Sequence, residues 1–434
     1  MTPTRRAGRA LRVLVIGAGV SGISVARGLL RDGHDVTVFD QRRDASAGGG
    51  AVTIWSNGET VLRQLGVRMD GAGQLLSRVR VLTSRGHRLA TLDVAAMGDR
   101  LGAPVRMVPR RVLLERLLEG FPVDRIRCGS RAVGVAGTHA GVEVEFADGG
   151  AAAGDVVIGA DGLHSVVRDV VGAAPAEPTG WCSWQGLITV PELADERGAI
   201  IVIGEGGNTG VWPAGGGEVQ WWFDLPWSCD FVRQARPIDG IRSQFGGWSN
   251  EVDLVLGRLT DEDLADSPYP HFRHPIPEVS VPGPLTLLGD AAHTMPPTLA
   301  QGTNQALLDT MVLCRALSDV GRRPHAGAGD FAGDLSRDLS RDLSRDLSRD
   351  LSRDLCAALR WYEKTRRRRV GAVSRVASLQ VAHGESVLRP AALISDSLHT
   401  RMLTAFLRWT SHRRLSAAID RGMGAAVPVP AGRR

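Results

Sequence analysis

The sequence predicts an α/β protein: a Rossmann-like dinucleotide-binding domain assembled from separated stretches, an inserted and mostly antiparallel β-sheet domain, and C-terminal helices. Three observations predict it. An apolar strand, Leu11 to Ile16, runs into Gly17-Ala18-Gly19-Val20-Ser21-Gly22 and a helical pattern, the strand, glycine turn and helix of a βαβ unit. Seven of the ten tryptophans lie between Trp181 and Trp248, in segments that alternate as strands do. A further apolar strand, Leu285 to Leu288, returns the chain to a Gly289-Asp290-Ala291-Ala292-His293 turn and a long helix.

The elements follow in order. Ile23, Ala26 and Leu30 stand at helical spacing after the glycine turn, Arg31-Asp32-Gly33 closes that helix, and Val36 to Phe39 is the second strand, ending at Asp40. Gly48-Gly49-Gly50 makes a turn, and Glu59 to Leu65 reads as a short helix. Val79 to Leu82 and Arg88 to Leu92 form a hairpin that turns at Ser84-Arg85-Gly86. Pro109 to Leu118 is an amphipathic helix with Leu113 and Leu117 on one face. Strands at Arg131 to Val135 and Val142 to Phe146 lead through Asp148-Gly149-Gly150 into Asp155 to Ile158, which delivers Gly159-Ala160-Asp161-Gly162. The tryptophan-rich part has strands at Trp181 to Val190, Ile200 to Ile203 and Val219 to Leu225, and a helix from Thr303 to Leu317 follows the Gly-Asp turn. The chain thus divides into a dinucleotide-binding domain (1–75, 99–177 and 276–330), a substrate domain (76–98 and 178–275), a repeat insertion (334–355) and a C-terminal helical region (356–434).

With 434 residues, 43% of them hydrophobic, the chain is long enough for two or more globular domains. The formal charge of +5 rests on arginine, since Lys364 is the one lysine, and this points to coding bias rather than to a phosphate-binding surface. Arg366 to Arg369, the one dense basic run, reads as a solvated helix face or ionic support for the preceding domain, ahead of nucleic-acid contact. Five scattered cysteines without Cys-x-x-Cys spacing indicate neither a disulfide framework nor a zinc site, and place the protein in a reducing, cytoplasmic compartment. No stretch approaches the roughly 18 apolar residues of a membrane span. A monomer or homodimer is expected.

Asp-Leu-Ser-Arg is repeated five times from Asp334 to Arg353. A period of four drifts about 40° per repeat around a helix, so the leucines make no stable stripe. The repeats are expected to form a surface insertion without catalytic role, with a partner-binding charged helix as the alternative.

The glycines of the first motif have separate tasks. Gly17 permits the tight turn, Gly19 lets the backbone approach a pyrophosphate, and Gly22 lets the helix pack on the strand, while the free amides of Val20 and Ser21 and the helix dipole hold negative charge. Asp40, followed by Gln41 and Arg42, stands where a ribose hydroxyl needs an acceptor. Taken with Asp161-Gly162 through Arg168 and with Gly289-Asp290, this set resembles the class A FAD-dependent monooxygenases, which share the para-hydroxybenzoate hydroxylase fold. The resemblance spans most of the chain. It implies that the glycine turn binds the ADP half of FAD, that Asp161 to Arg168 serves both FAD and the nicotinamide cofactor, and that Asp290 holds the ribityl region. It further implies an arginine at the start of the 109–118 helix on the pyrophosphate, and leucine register favours Arg110 over Arg111. Gly289, Pro297, Gln301, Gly302, Thr303 and Asn304 complete the expected FAD site, with the amides and positive dipole end of the 303–317 helix facing the flavin. Two positions depart from the family pattern: Asp40 where Glu is usual, and Ala300 where Gly is usual.

The resemblance implies that NADPH or NADH reduces FAD and that dioxygen, through a flavin hydroperoxide, oxygenates a hydrophobic, aromatic or polycyclic small molecule by hydroxylation or epoxidation. Candidate catalytic residues are Trp222, Asp224, His271 and Pro296. Alternation puts Trp222 with Asp224 on one strand face and Trp221 with Phe223 on the other, so one pair alone can line a cavity; Trp184 and Trp212 are further candidates for an aromatic wall. His293 is read as structural, and His274 as a surface or core residue. The alternatives are a flavin-dependent halogenase, against which stand the spacing of Trp181-Cys182-Ser183-Trp184 and the position of Lys364, and a non-catalytic flavin-binding redox sensor.

Overall fold

A computed structural model describes residues 10–45, 48–138, 141–193, 196–266, 268–276, 283–318, 320, 337–381, 389–412, 416–417 and 420. Its organising element is a five-stranded parallel sheet in the order Leu285–Leu287, Val156–Gly159, Arg12–Ile16, Asp35–Asp40 and Ile126–Cys128. The first strand lies in the middle because both its faces are apolar. Val13 and Val15 pack with helices Val20–Arg31 and Gly302–Leu317, while Leu14 and Ile16 pack against the antiparallel meander of Ala132–Thr138, Gly141–Phe146 and Ala151–Gly154. Strand order reverses at Arg12–Ile16, whose neighbours are the second strand on one side and Val156–Gly159 on the other. That switch point opens a crevice at the carboxyl ends of the strands.

The second sheet has seven strands in the order Tyr269–Arg273, Glu177–Thr189, Glu218–Pro226, Gly207–Gly215, Gly198–Gly204, Arg78–Thr83 and Arg88–Asp93. All neighbours are antiparallel except Gly198–Gly204 with Arg78–Thr83, which run parallel. The hairpin turning through Ser84-Arg85-Gly86 is therefore an edge of this sheet. One face carries Trp184, Trp221 and Phe223 beneath helices Pro237–Phe245 and Asn250–Leu256, neither of which the strand pattern anticipated. The opposite face carries Trp212 and Trp222, packed with Trp55, Met107 and Leu407 of helix Asp396–Thr410. Trp184 thus belongs to the outer core, with Arg233 set 5.9 Å over its ring, and not to an inward aromatic wall.

The start of the expected repeat insertion, 334–336, lies outside the described residues; from Arg337 on, the repeats belong to a single helix, Arg337–Val381, continuous with the segment that follows them. Leu355 is buried and Leu351 half-buried against the core of the parallel-sheet domain, so the C-terminal end of the repeat region is anchored rather than purely superficial. Further along that helix, Arg366 is buried and paired with Asp309 of helix Gly302–Leu317, so this arginine gives ionic support to the preceding domain and is not part of a solvated basic face. Among the described residues no helix is long and apolar enough to cross a membrane, no His/Cys/Asp/Glu group is arranged for a metal, and all five cysteines are free.

Candidate active site

The three motifs meet at the switch point. A Cβ built on Gly17 would lie 2.4 Å from the Ala160 carbonyl oxygen, one on Gly22 would lie 1.8 Å from the Gly17 carbonyl oxygen, and one on Gly289 would lie 2.5 Å from Ser21 Oγ. These contacts leave no room for side chains. Gly19 differs, because a Cβ there would meet nothing within 4 Å. It also forms the N-cap of helix Val20–Arg31 without any side-chain cap, so the first amides of that helix have no protein acceptor from a cap. The Asp161 Oδ1 atom and the Gln301 Nε2 atom are buried without partners. Uncapped amides beside an open Gly19 suit a diphosphate, and orphaned buried polar atoms suit a polar ligand, so the residues fit a dinucleotide such as FAD.

The other expected cofactor residues are placed as follows. Asp40 is buried and accepts from the Ala18 amide (2.6 Å), the Arg42 amide (2.8 Å) and the Arg42 guanidinium (2.9 Å). Burial alone would raise its carboxyl, but the bonds from Arg42 and Ala18 outweigh burial and hold it below the usual range. A ribose would therefore share Asp40 with Arg42, and Gln41 is exposed alongside. Arg110, at the start of helix Arg110–Leu118, is exposed, whereas Arg111 is ion-paired with Glu218 at 2.7 Å. Asp161 Oδ2 accepts the Val166 amide at 2.8 Å.

Arg168 is turned into the interior. Its guanidinium donates to the carbonyls of Ala174 (2.8 Å), Ala291 and Ala292 (both 3.1 Å) and Pro275 (2.9 Å), and its side chain is 1% exposed. It ties the Asp-Gly segment to the Gly-Asp turn instead of reaching a ligand directly. Asp290 is exposed, with Oδ1 3.9 Å from the position of a Cβ on Gly302, at the uncapped start of helix Gly302–Leu317. Thr303 is half-buried at that start, and Pro296 is buried while Pro297 is exposed in the loop before it. The Asn304 side chain donates to Thr53 and Ala300 carbonyls (both 2.9 Å) and accepts the Trp55 amide (2.9 Å), which leaves only its backbone to offer a ligand.

The inward face of the seven-stranded sheet supplies the other wall. Trp222 lies across Gly210, where a Cβ would fall 2.1 Å from the indole, and Trp212 lies beside it, tilted by 50°, with ring centroids 6.0 Å apart. Asp224, two residues on, forms a buried cluster with two other strands. Ser183 Oγ donates to Asp224 and lies 2.6 Å from His271 Nε2, and His271 Nε2 is 3.9 Å from Asp224. Burial drives both ionisable groups towards neutrality: Asp224 is raised to about 7, with the Ser183 bond opposing, and His271 is lowered to about 4. Sequence reasoning singled out Asp224 and His271 but missed Ser183, whose signal was a polar residue directly opposite Asp224 in strand register. It also missed Tyr269, half-exposed on the His271 strand, whose hydroxyl is raised by burial and by the Asp290 carboxylate, with Arg110 opposing. Tyr269 therefore marks where the second sheet approaches the Gly-Asp turn. His274 reinforces that approach: it is buried, its amide donates to the Thr294 carbonyl (2.9 Å) and its Nδ1 lies 3.0 Å from the Asp290 carbonyl oxygen. The one lysine, Lys364, is exposed on helix Arg337–Val381.

A parallel sheet with a dinucleotide crevice at its switch point, faced by a second sheet with an aromatic and titratable wall, defines the class as a flavin-dependent oxidoreductase. The FAD binding domain family matches residues 10–326, and the chain belongs to it as an FAD-dependent monooxygenase. An FAD-dependent urate hydroxylase of Klebsiella pneumoniae is 30% identical over 310 residues, covering 70% of this chain and 80% of the relative. A 3-amino-4-hydroxybenzoate 2-monooxygenase of Streptomyces cremeus is 32% identical over 318 residues, covering 71% and 79%. The fold is shared with the crystal structure of Klebsiella pneumoniae HpxO complexed with FAD and uric acid, at a TM-score of 0.75 and 24% identity over 93% of this chain and 98% of that one.

Proposed function

We propose that this monooxygenase uses NADPH or NADH to place one atom of dioxygen on an electron-rich aromatic or heterocyclic ring that bears an ionisable hydroxyl or N–H group. The observation that carries the reading is the buried Ser183–Asp224–His271 cluster on the same sheet face as Trp222. FAD, when bound, supplies hydride acceptance from the reduced nicotinamide and dioxygen activation. The chain's own residues then have distinct tasks. Trp222 and Trp212 present flat apolar surface to a ring and exclude water, which suits a substrate of the kind named for the relatives above. Asp224, near 7, holds an exchangeable proton at neutral pH, and Ser183 Oγ bridges it to an unprotonated His271. Such a group is matched to accept or return the proton of a substrate hydroxyl as the ring is oxygenated. The amides at the start of helix Gly302–Leu317 and the Asp290 carboxylate would orient the cofactor against that wall, and the Gly17–Gly22 turn would hold its diphosphate.

The test is a panel of hydroxylated benzoates, hydroxypyridines and purines added to FAD-loaded protein, with consumption of NADPH and NADH followed in wild type and Asp224→Asn. At least one compound should accelerate consumption, and the Asn variant should lose the kcat inflection near pH 7 and turn over about 10²-fold more slowly. An unchanged pH profile in Asp224→Asn would remove the cluster from the chemistry. Absence of any substrate-stimulated consumption would remove the reading itself.

A further inference from the structure

Behind the Gly-Asp turn lies a buried ionic network that the proposed chemistry does not use. Asp309, on helix Gly302–Leu317, accepts the Gly289 amide at 3.0 Å, and the same Oδ2 atom lies 2.5 Å from His293 Nε2. Its other oxygen takes Arg366 Nε at 2.5 Å, from helix Arg337–Val381. Arg366 also donates through Nη2 to the backbone and side-chain oxygens of Gln305 (3.0 and 2.8 Å). Its Nη1 donates to Nε2 of His412 (3.0 Å), just beyond helix Asp396–Thr410, and Arg369 Nη1 lies 3.2 Å from the same nitrogen. Asp309 is fully buried and Arg366 is 3% exposed. One turn earlier on the same helix, Tyr362 donates to the Leu287 carbonyl (3.0 Å) and Glu363 accepts from Thr286 (3.1 Å). The C-terminal helices therefore grip both the strand that ends in the Gly-Asp turn and, through Asp309, the turn itself.

We infer that Arg366 is a positioning residue for FAD: by fixing Asp309 it sets the Gly289 amide and the placement of Asp290, and His412 locks Arg366 from the C-terminal side. The inference rests on the reading that the Gly289-Asp290 turn contacts FAD. Several features single this out from ordinary core packing. The guanidinium fork is shared among three residues, Asp309 and Gln305 of helix Gly302–Leu317 and His412, which a hydrophobic residue of similar volume cannot do. The anion it holds bonds two residues of the turn directly. His412 has its backbone in the left-handed region at φ 49°, a conformation that a non-glycine residue holds only when its surroundings over-determine it. A cavity of about 60 Å³ bordered by His293, Asp309, Tyr362 and Arg366 gives room for water, so a lysine at 366 can be solvated where the fork is lost.

The experiment uses the full chain stripped of flavin and measures the FAD dissociation constant by fluorescence quenching, well below the melting temperature, together with apo-protein melting and the visible absorption of bound FAD. Arg366→Lys keeps the charge beside Asp309 but not the bonds to Gln305 and His412. It is expected to weaken FAD binding about tenfold and to shift the bound-flavin spectrum. His412→Ala leaves the Arg366–Asp309 pair intact and is expected to weaken FAD two- to fivefold with a smaller shift. Should Arg366→Lys fail to fold, His412→Ala decides the question by the same two readouts. A lowered apo melting temperature with wild-type FAD affinity and spectrum in the folded variants would make the network structural only and overturn the inference. Asp290→Ala is the control: unchanged FAD affinity there would overturn the reading of the turn, whereas loss there with wild-type binding in both network variants would overturn the positioning role alone.

Discussion

Gly19→Ala separates folding from cofactor binding, because the structure gives this glycine a different neighbourhood from Gly17 and Gly22. Its φ of −76° and ψ of −175° are open to any residue, and the added methyl meets no protein atom within 4 Å. At an N-cap, alanine is poorer than glycine by several tenths of a kcal/mol to about 1 kcal/mol. Lower entropy of the unfolded chain returns about 0.4–1 kcal/mol. Apo-protein stability should therefore change by less than about 0.5 kcal/mol, the ordinary range for a substitution without steric conflict. With the diphosphate held at the Gly17–Gly22 turn as proposed, the methyl would instead occupy the space through which a phosphate approaches the Val20 and Ser21 amides. Losing one charge-assisted hydrogen bond costs about 1.5–3 kcal/mol, or about tenfold to a hundredfold in FAD affinity. Gly22→Ala is the contrast, since its Cβ would stand 1.8 Å from the Gly17 carbonyl and must distort the turn, lowering both stability and affinity. Apo-protein melts with FAD titration of both variants are the assay. Wild-type FAD affinity in Gly19→Ala would refute the placement of the diphosphate.

Ala300 holds a left-handed conformation at φ 48°, which costs a non-glycine residue about 1–2 kcal/mol, so Ala300→Gly should raise the melting temperature by about 1–3 °C after the glycine's unfolded-state entropy is deducted. A fall in melting temperature would show that the methyl makes a contact worth more than the strain. Leu355→Ala, at the end of the repeat region, should cost about 2–5 kcal/mol in a denaturation experiment because the side chain is 1% exposed in the main core; a neutral result would return the whole repeat region to the surface. Stability should fall as pH drops from about 6.5 towards 4. His271 and His274 are lowered to about 4 and His412 to about 3, all chiefly by burial, so in this window the unfolded chain binds more protons than the fold. Asp224, raised to about 7 by burial, acts in the opposite sense between about 4 and 7 and offsets about one of the three, and Asp161 and Glu59, also raised by burial, oppose in the same sense just above their ordinary carboxyl range. Asp309, held near 2 by His293 and Arg366 against the effect of burial, adds its loss only below about pH 4. Melting temperatures that rise from pH 7 to pH 5 would contradict this balance.

What the sequence disclosed, and what it did not, follows the range of the interactions concerned. The strand–glycine–helix opening, the hairpin at Ser84-Arg85-Gly86 and the helix after the Gly-Asp turn rest on local periodicity, and all three are in the structure. Strand Gly207–Gly215 was obscured by its glycines and Pro213, and helices Pro237–Phe245 and Asn250–Leu256 by their shortness and mixed polarity. Alternation showed that Trp221 and Trp222 face opposite ways, yet which one turns inward depends on where the helices settle, since both faces of the sheet are covered. Charged residues were the hardest to place. Arg168 looks like a ligand for an anion but spends its donors on carbonyls from three separate segments. The Arg366–Asp309 pair joins residues 57 apart, a partnership that no local pattern announces.

The most direct test of the central claim is the origin of the oxygen in the product. FAD-loaded protein, reduced nicotinamide and an accepted aromatic or heterocyclic substrate are incubated under ¹⁸O-labelled dioxygen in unlabelled water, and the product is weighed by mass spectrometry. A monooxygenase working between the Gly-Asp turn and the Trp222 wall gives product heavier by one labelled atom, with the other oxygen of dioxygen recovered in water. Product without label, or product that forms only when halide is supplied, would contradict the account.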